Sequence, residues 1–238
     1  MQQNIARISL RKEATRVAYN RMSRCYDFLA GRLERKYVDA GLQMLGPTSE
    51  ETILEIGFGT GYAIVAMARS VGGSGKVYGI DISDAMLRKA GLRVSKAGLA
   101  NRVVLQRGDA VKLPYKDAFF DSIFMSFTLE LFDTTEIPTV LKECERVLKD
   151  DGYLCAVALS KKDEDSFMVR LYERVHRMFP RYVDCRPIFV RQTLEESGFR
   201  TINITEMPMK GLPVCIILSC KETTTRDTSA ANSDKGYA

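Results

Sequence analysis

The chain has 238 residues, of which 45% are hydrophobic and 27% are charged. This composition supports one sizeable core and excludes a wholly disordered protein. Its longest apolar runs are far shorter than the ~20 residues that cross a bilayer, and the N-terminus lacks the apolar stretch of a signal peptide, so we expect a cytoplasmic protein.

The formal net charge of +5 has an uneven distribution along the chain. The first 36 residues carry nine basic and three acidic side chains, which suits an anionic membrane surface, nucleic acid, an acidic substrate or a solvated helix face. The six cysteines include no C-x-x-C pair and there is one histidine. We therefore expect reduced, packed thiols and no metal site.

Short β-rich runs alternate with helical stretches from residue 52 onward. Three helices are predicted. The first follows Gly61 and ends at about Val71, the second runs from a cap at Ser83 or Asp84 to Lys96, and the third covers Thr135–Lys149 before a turn at Asp150–Gly152. The predicted strands are Thr52–Ile56, Lys76–Ile80, Val103–Leu105, Phe119–Phe127, Tyr153–Leu159, Thr201–Glu206 and Val214–Cys220. This rhythm predicts an α/β, Rossmann-like, doubly wound fold with a mostly parallel seven-stranded sheet and an antiparallel C-terminal edge strand.

A G-x-G-x-G loop lies where the first predicted strand meets a helix, with its glycines at 57, 59 and 61. Such a loop lets the backbone approach a ligand and offers helix N–H groups to an anion. A dinucleotide fingerprint requires a third glycine where Tyr62 stands. The carboxylate of Glu55, roughly 5 Å from a pyrophosphate, would cost about 3 kcal/mol. The pattern therefore favours S-adenosylmethionine, which carries an ammonium and a sulfonium, over NAD.

Two further acids follow the next two predicted strands. Asp81 is placed to accept hydrogen bonds from the ribose hydroxyls of a nucleoside, and Asp109 from an adenine amino group. Each acid alone is equally consistent with a turn or a helix cap. Three acids at successive strand ends beside a glycine loop indicate a cofactor site.

At these motifs the chain resembles the class I S-adenosylmethionine-dependent methyltransferases, and most of all the ubiquinone/menaquinone-biosynthesis C-methyltransferase group. The resemblance implies that the loop glycines and Glu55 hold the methionine part, that Asp81 and Ile82 flank the ribose, and that Asp109 and Ala110 face the adenine. It also implies that Ser126 or Phe127 lies beside the sulfonium and that Tyr26 closes over the cofactor. The residues that carry the resemblance are Tyr19–Asp27, the Glu55–Gly61 loop, Gly79–Ser83, Gly108–Ala110, Leu113–Pro114, Phe120–Ile123 and Arg146–Gly152.

The sequence also predicts a domain organisation. Residues 1–45 form an N-terminal helical cap or lid, residues 46–222 form the methyltransferase domain, and residues 223–238 form a disordered tail. Within the domain, residues 160–190 cover the acceptor. An apolar stripe over 167–179 is equally consistent with an acceptor pocket and with ordinary core packing.

His176 adjoins that stripe and is a candidate general base for a phenol or hydroquinone, although a lone histidine there is also consistent with a bystander. Asp133 and Asp184 are comparable candidates. The segment after the fourth predicted strand, Ser126–Leu129, is not the Asn/Asp-Pro-Pro-aromatic motif typical of amine methylation on bases, which disfavours nucleic acid as a partner.

The sequence therefore predicts methyl transfer from S-adenosylmethionine to a small, apolar aromatic or quinol-like acceptor. If a membrane holds that acceptor, the basic N-terminus would let the protein reach it by peripheral contact with the membrane surface. The alternatives are O- or N-methylation of another metabolite or lipid headgroup, an NAD(P)-dependent oxidoreductase, and a non-catalytic S-adenosylmethionine-binding module. The sequence indicates no oligomeric state.

Overall fold

A computed structural model of the chain describes residues 34–161 and 186–222. It begins with helix α1 at residues 34–45 and continues through β1 (Thr52–Ile56), α2 (Tyr62–Ser70), β2 (Lys76–Asp81), α3 (Asp84–Lys96), β3 (Val103–Arg107), β4 (Phe120–Ser126), a 3₁₀ turn (Leu129–Leu131), α4 (Ile137–Val147), β5 (Leu148–Leu159), α5 (Val190–Glu195), β6 (Phe199–Met209) and β7 (Leu212–Lys221). No helix in these two stretches is long and apolar enough to span a membrane.

The seven strands form one sheet in the order β3-β2-β1-β4-β5-β7-β6. Strands β1 to β5 run parallel, and β7 is antiparallel to both β5 and β6. The predicted fold class is confirmed. The antiparallel strand β7 lies one position inside the edge, and β6 is the outermost strand.

The strand order places the connections on opposite faces of the sheet. Helices α2 and α3 pack with α1 on one face, and α4 and α5 pack on the other. The strand order switches at the adjacent parallel strands β1 and β4, because β2 and β3 lie on one side of β1 and β4 and β5 lie on the other. In such sheets ligands bind outside the carboxyl ends of the strands at this switch point.

Helix α1 belongs to the same packed body as the sheet. A Cβ on Gly41 would lie 2.5 Å from Val157 Cγ2 and 3.1 Å from the Phe124 ring, so α1 touches the sheet through a residue without a side chain. The hydroxyl of Tyr37 also donates to the carbonyl of Pro208 in β6 at 2.6 Å. The last turns of the predicted N-terminal cap are therefore fixed on the sheet, while residues 1–33 lie outside the described part.

The boundary between α4 and β5 differs from the prediction. Helix α4 ends at Val147, and β5 begins at Leu148, so the expected turn at 150–152 lies within an irregular strand. The register against β4 shifts between Phe120 and Ser122. A Cβ on Gly152 would lie within 2.8 Å of the Asp121 carbonyl, so this glycine serves a close strand contact, whereas the sequence suggested a helix stop.

Candidate functional site

The glycine loop connects β1 to α2 at the switch point of the sheet. Gly57, Gly59 and Gly61 all have positive φ, at 73°, 49° and 78°, a region that non-glycine residues rarely adopt. The loop is held by hydrogen bonds from Gly57 N to Ile80 O and from Gly61 N to Phe58 O, each at 2.8 Å.

The three glycines have different surroundings. A Cβ on Gly57 would lie 2.3 Å from Thr128 Oγ1, and one on Gly61 would lie 2.8 Å from the Ala90 Cβ. A Cβ on Gly59 would meet no described atom within 4 Å. The outer two glycines thus serve packing, whereas the middle glycine opens onto space in which a ligand has room.

Glu55 lies beneath this loop, near the carboxyl end of β1, and is 2% exposed. Burial, and then the negative charge of Asp81, raise the pKa of Glu55 well above its ordinary value, while a backbone hydrogen bond from Ile64 acts to lower it. Its Oε2 has no hydrogen-bond partner in the described part of the chain. A buried, partly unsatisfied carboxylate here favours a cationic or hydrogen-donating ligand.

Asp81 ends β2 beside the loop. Its Oδ2 accepts from Gly59 N at 2.9 Å and its Oδ1 accepts from Ser83 N at 2.8 Å. Burial raises the pKa of Asp81 to about 6, although these two hydrogen bonds act to lower it. Ser83 is the N-cap of α3, with its hydroxyl accepting from Met86 N, and the half-buried Ile82 stands between them. Asp81 therefore links the glycine loop to the start of α3.

Asp109 lies two residues beyond β3 and is half-buried. Its Oδ1 accepts from Val111 N at 3.1 Å, and its carbonyl accepts from Lys112 N. Ala110 is 4% exposed and packs in the core on the α4 face of the sheet. The parallel strands bring this turn to the same edge of the sheet as Glu55 and Asp81.

The segment after β4 closes the other side of the switch point. Ser126 ends β4, and the next residue, Phe127, has a φ of 49°. Thr128 is 6% exposed; its hydroxyl donates to Ser126 O at 2.9 Å and lies 3.5 Å from Gly57 O. The Phe127 ring packs edge-on against Tyr37 of α1, with ring centroids 6.2 Å apart. Backbone strain at a non-glycine residue is typical of functional sites.

A buried charged group supports this segment. Arg186 is 1% exposed and Glu130 is 0% exposed. The guanidinium of Arg186 donates to Phe132 O at 2.6 Å and to Thr134 Oγ1 at 2.9 Å, and the Glu130 carboxylate accepts from Leu159 N at 3.0 Å. Burial lowers the pKa of Arg186, and the charges of Asp133 and Glu130 raise it. These residues tie the loop after β4 to the end of β5.

Sequence reasoning missed the Arg186 group, because Arg186 lies more than 50 residues after its partners Phe132 and Thr134 and no motif connects them. It also missed α1 as a neighbour of the loop. Tyr62, the first residue of α2, donates to Asp39 Oδ1 at 2.6 Å and lies under the Arg35 guanidinium at 4.7 Å. Tyr26, His176, Asp184 and the apolar stripe over 167–179 lie outside the described residues.

The described residues fit S-adenosylmethionine. The site combines the buried carboxylate of Glu55 and the half-buried carboxylate of Asp81, both with raised pKa values, with a glycine loop open above Gly59 and a third acid just beyond β3. The described part of the chain places no cationic side chain in contact with these two carboxylates, an arrangement that suits the ammonium and sulfonium of this cofactor, and Asp81 suits its ribose.

Comparison with known proteins agrees with this fit. Residues 53–152 match the methyltransferase domain family. The chain is 29% identical to the demethylmenaquinone methyltransferase of Lactobacillus johnsonii, over 65% of this chain and 70% of that protein. It is 35% identical to the ubiquinone/menaquinone biosynthesis C-methyltransferase UbiE of Azotobacter vinelandii, over 57% of this chain but only 53% of that protein.

Solved structures show the same relationship. The chain superimposes on a SAM-dependent methyltransferase from Aquifex aeolicus with a TM-score of 0.59 and 25% identity, covering 77% of this chain and 89% of that one. A geranyl diphosphate methyltransferase in complex with GPP and sinefungin gives a TM-score of 0.65 at 15% identity, covering 79% and 78% of the two chains, and shows the shared fold. Residues 53–152 therefore match a methyltransferase domain, and the chain is similar to a demethylmenaquinone methyltransferase, to a ubiquinone/menaquinone biosynthesis C-methyltransferase and to a SAM-dependent methyltransferase of known structure.

Proposed function

We propose that this protein transfers a methyl group from S-adenosylmethionine to a small, apolar aromatic or quinol-like acceptor by in-line displacement. The observation that carries the proposal is the pair of acids beside the open glycine loop, buried Glu55 and half-buried Asp81, because two carboxylates with raised pKa values favour a cationic nucleoside. Similarity to a demethylmenaquinone methyltransferase and to UbiE supports the acceptor class.

The proposed roles follow from position. The loop glycines and Glu55 hold the methionine part, Asp81 and Ile82 the ribose, and Asp109 and Ala110 the adenine. Ser126 lies beside the reacting centre, and Tyr26 closes over it. When bound, S-adenosylmethionine supplies a methyl group that its sulfonium has already activated. The protein's contribution is then alignment and exclusion of water, which together lower a barrier by about 7–11 kcal/mol in well-oriented systems.

The post-β4 segment supports such alignment. Thr128 packs on Gly57, which fixes the acceptor side against the cofactor loop, and the Arg186 guanidinium fixes the other end of the segment. Rigid contacts of this kind hold reacting atoms within the narrow range of distances and angles that in-line displacement requires.

A phenol or quinol must lose a proton to become nucleophilic, and in this proposal His176 is the general base that accepts it. Asp133 is better explained as a structural residue. Its Oδ1 accepts from both the amide and the hydroxyl of Thr135, at 3.0 and 2.8 Å, just before α4 begins. The basic N-terminal segment would bring the enzyme to a membrane that holds the acceptor.

The test uses the full chain with deuterated-methyl cofactor and a membrane-lipid extract, either left oxidised or chemically reduced. We expect label in an apolar aromatic product, detected by mass spectrometry, from the reduced extract alone. Glu55→Ala should abolish labelling, whereas Asp151→Asn, which changes an exposed carboxylate at the amino end of β5, should not. Label found only in protein or nucleic acid would overturn the proposal.

A further inference from the structure

The connection from β3 to β4 is irregular, although helices join the other consecutive parallel strands of the sheet. We call this connection, residues 108–119, the β3–β4 loop. It contains no helix and lies on the face of the sheet on which α4 packs. Its Tyr115 ring packs edge-on against Phe120, with ring centroids 4.9 Å apart. Because the loop forms no helix of its own, its backbone N–H and C=O groups depend on partners elsewhere in the fold.

Two side chains of α4 supply such partners. Arg146 donates to Leu113 O at 3.0 Å and to Tyr115 O at 2.8 Å, and the Glu143 carboxylate accepts from Leu113 N at 2.7 Å. Arg146 Nε and Nη2 also donate to Glu143 Oε1 and Oε2, each at 2.8 Å. The hydrogen bond from Arg146 lowers the pKa of Glu143, so this bidentate pair stays charged near neutral pH.

The same end of α4 holds the second half of the loop. The backbone carbonyls of Arg146 and Val147 accept from Ala118 N and Phe119 N, at 2.9 and 2.8 Å. Arg146 Nη1 also donates to Asp117 Oδ1 at 2.7 Å, but the Asp117 side chain is 79% exposed. An ion pair that is open to water contributes little. The hydrogen bonds to the loop backbone are therefore the contacts that fix the loop on α4.

The fixed loop begins with the turn that contains Asp109. Asp109 Oδ1 accepts from Val111 N at 3.1 Å, and the Asp109 carbonyl accepts from Lys112 N at 3.2 Å. The next residue, Leu113, is 3% exposed and is bound to α4 through both its N–H and its C=O. A hydrogen bond to a ligand tolerates only a few tenths of an ångström of displacement. The position of the Asp109 carboxylate thus depends on how Leu113 is held.

We propose that Glu143 and Arg146 are positioning residues for the base of the cofactor. By fixing Leu113 on α4, they set the turn from which Asp109 accepts a hydrogen bond from the adenine amino group. This inference rests on the proposed function, which places the adenine at Asp109. Neither side chain touches the cofactor, so their loss should affect recognition of the base more than recognition of the rest of the ligand.

Calorimetry with two ligands tests the proposal on the full chain. The ligands are S-adenosylhomocysteine and S-inosylhomocysteine, which has a carbonyl oxygen in place of the adenine amino group. Wild type should bind the adenosyl ligand about tenfold more tightly, as one hydrogen bond to a carboxylate predicts. Arg146→Met should weaken the adenosyl ligand about tenfold and the inosyl ligand much less, so that the ratio of the two affinities approaches one.

A milder substitution keeps the test decisive if Arg146→Met does not fold. Arg146→Lys keeps the positive charge beside Glu143, but an ammonium lacks the planar fork that reaches both loop carbonyls. It should give a ratio of affinities between that of wild type and one. A wild-type ratio in Arg146→Lys together with one in Arg146→Met, or in Arg146→Lys alone where only that variant folds, would overturn the proposal.

The matched control is Arg191→Met. Arg191 also donates to a glutamate of its own helix, Glu195 of α5, at 2.8 Å, and its loss should leave the ratio of affinities unchanged. A general loss of stability weakens both ligands equally, so the ratio separates positioning from a merely structural role. A wild type that binds both ligands equally would overturn this proposal and leave the proposed function standing. A wild type that binds neither ligand would overturn both.

Discussion

At the level of single residues, the buried carboxylate of Glu55 and the half-buried carboxylate of Asp81 dominate the chemistry of the site. Burial, and then the charge of Asp81, raise the pKa of Glu55, and desolvation raises the pKa of Asp81. Their positions lower the stability of the ligand-free protein and favour a cationic ligand. Sites that bind charge commonly retain such strain, and binding relieves it.

Asp81 should make cofactor affinity depend on pH. Its pKa is about 6 in the ligand-free protein, and hydrogen bonding to ribose requires the ionised form. The dissociation constant of S-adenosylhomocysteine, measured by calorimetry, should be constant above pH 7 and rise up to about tenfold per pH unit below 6. Asp81→Asn should bind more weakly at pH 8 and lose most of this dependence. Equal affinities of wild type at pH 5 and pH 8 would contradict the assignment.

Glu55 should lower the stability of the ligand-free protein at neutral pH. Its pKa is raised on folding, so the folded state holds its proton more tightly than the unfolded state. The associated stability is present below the unfolded pKa and is lost as pH rises through the folded pKa. Glu55→Gln should therefore unfold at higher denaturant than wild type at pH 8, by about 1–3 kcal/mol. The difference should shrink at pH 4.5, and a variant less stable than wild type at pH 8 would refute this.

His176 should act on turnover and leave cofactor binding unchanged. If it accepts the acceptor's proton, His176→Gln should lower kcat by about 10²–10⁴-fold and remove the acidic limb of the pH–rate profile. The affinity for S-adenosylhomocysteine should remain that of wild type. A variant that keeps its kcat, or that loses kcat and cofactor affinity together, would show that His176 is not the base.

At the level of elements, substitutions at different glycines of the loop should affect protein stability and cofactor binding to different extents. Gly57→Ala collides with Thr128 and should lower the free energy of unfolding by about 1–3 kcal/mol; adding Thr128→Ala should recover part of that loss. Gly59→Ala meets open space and should cost about 1–2 kcal/mol for its positive φ alone, while weakening cofactor binding more than Gly57→Ala/Thr128→Ala does. Urea unfolding and calorimetry on the same variants check both. Equal binding by the two proteins would contradict an open ligand space above Gly59.

Local signals in the sequence predicted most elements well. The apolar runs of β1 and β2 and the Ser83 cap of α3 are encoded within a few residues, and the structure confirms them. The α4–β5 boundary was mispredicted because Asp-Asp-Gly is typical of a turn, whereas here it lies in a strand that pairs irregularly with β4. The positive φ of Phe127 had no signal, since an aromatic residue rarely adopts it.

At the scale of the whole molecule, topology assembles the site. Acids that are 26 and 54 positions away along the chain from Glu55 reach one edge of the sheet because β1, β2 and β3 run parallel. That assembly was predictable from the alternation of strands and helices. The Arg186 group was not, because its contacts depend on where the chain returns after β5 and not on any local pattern.

The charge of the assembled site should determine which nucleotide stabilises the whole protein. A ligand that binds only the folded state at 100 times its dissociation constant adds about 2.7 kcal/mol, which raises Tm by about 5–11 °C in a protein of this size. We expect that shift with S-adenosylhomocysteine and none with NADPH at equal concentration, because Glu55 and Asp81 repel a pyrophosphate. Glu55→Gln should reduce the difference between the Tm shifts that the two ligands produce, while Asp151→Asn should leave that difference unchanged. A larger Tm shift with NADPH than with S-adenosylhomocysteine would favour an oxidoreductase, because it would show that the site binds a pyrophosphate beside its two carboxylates.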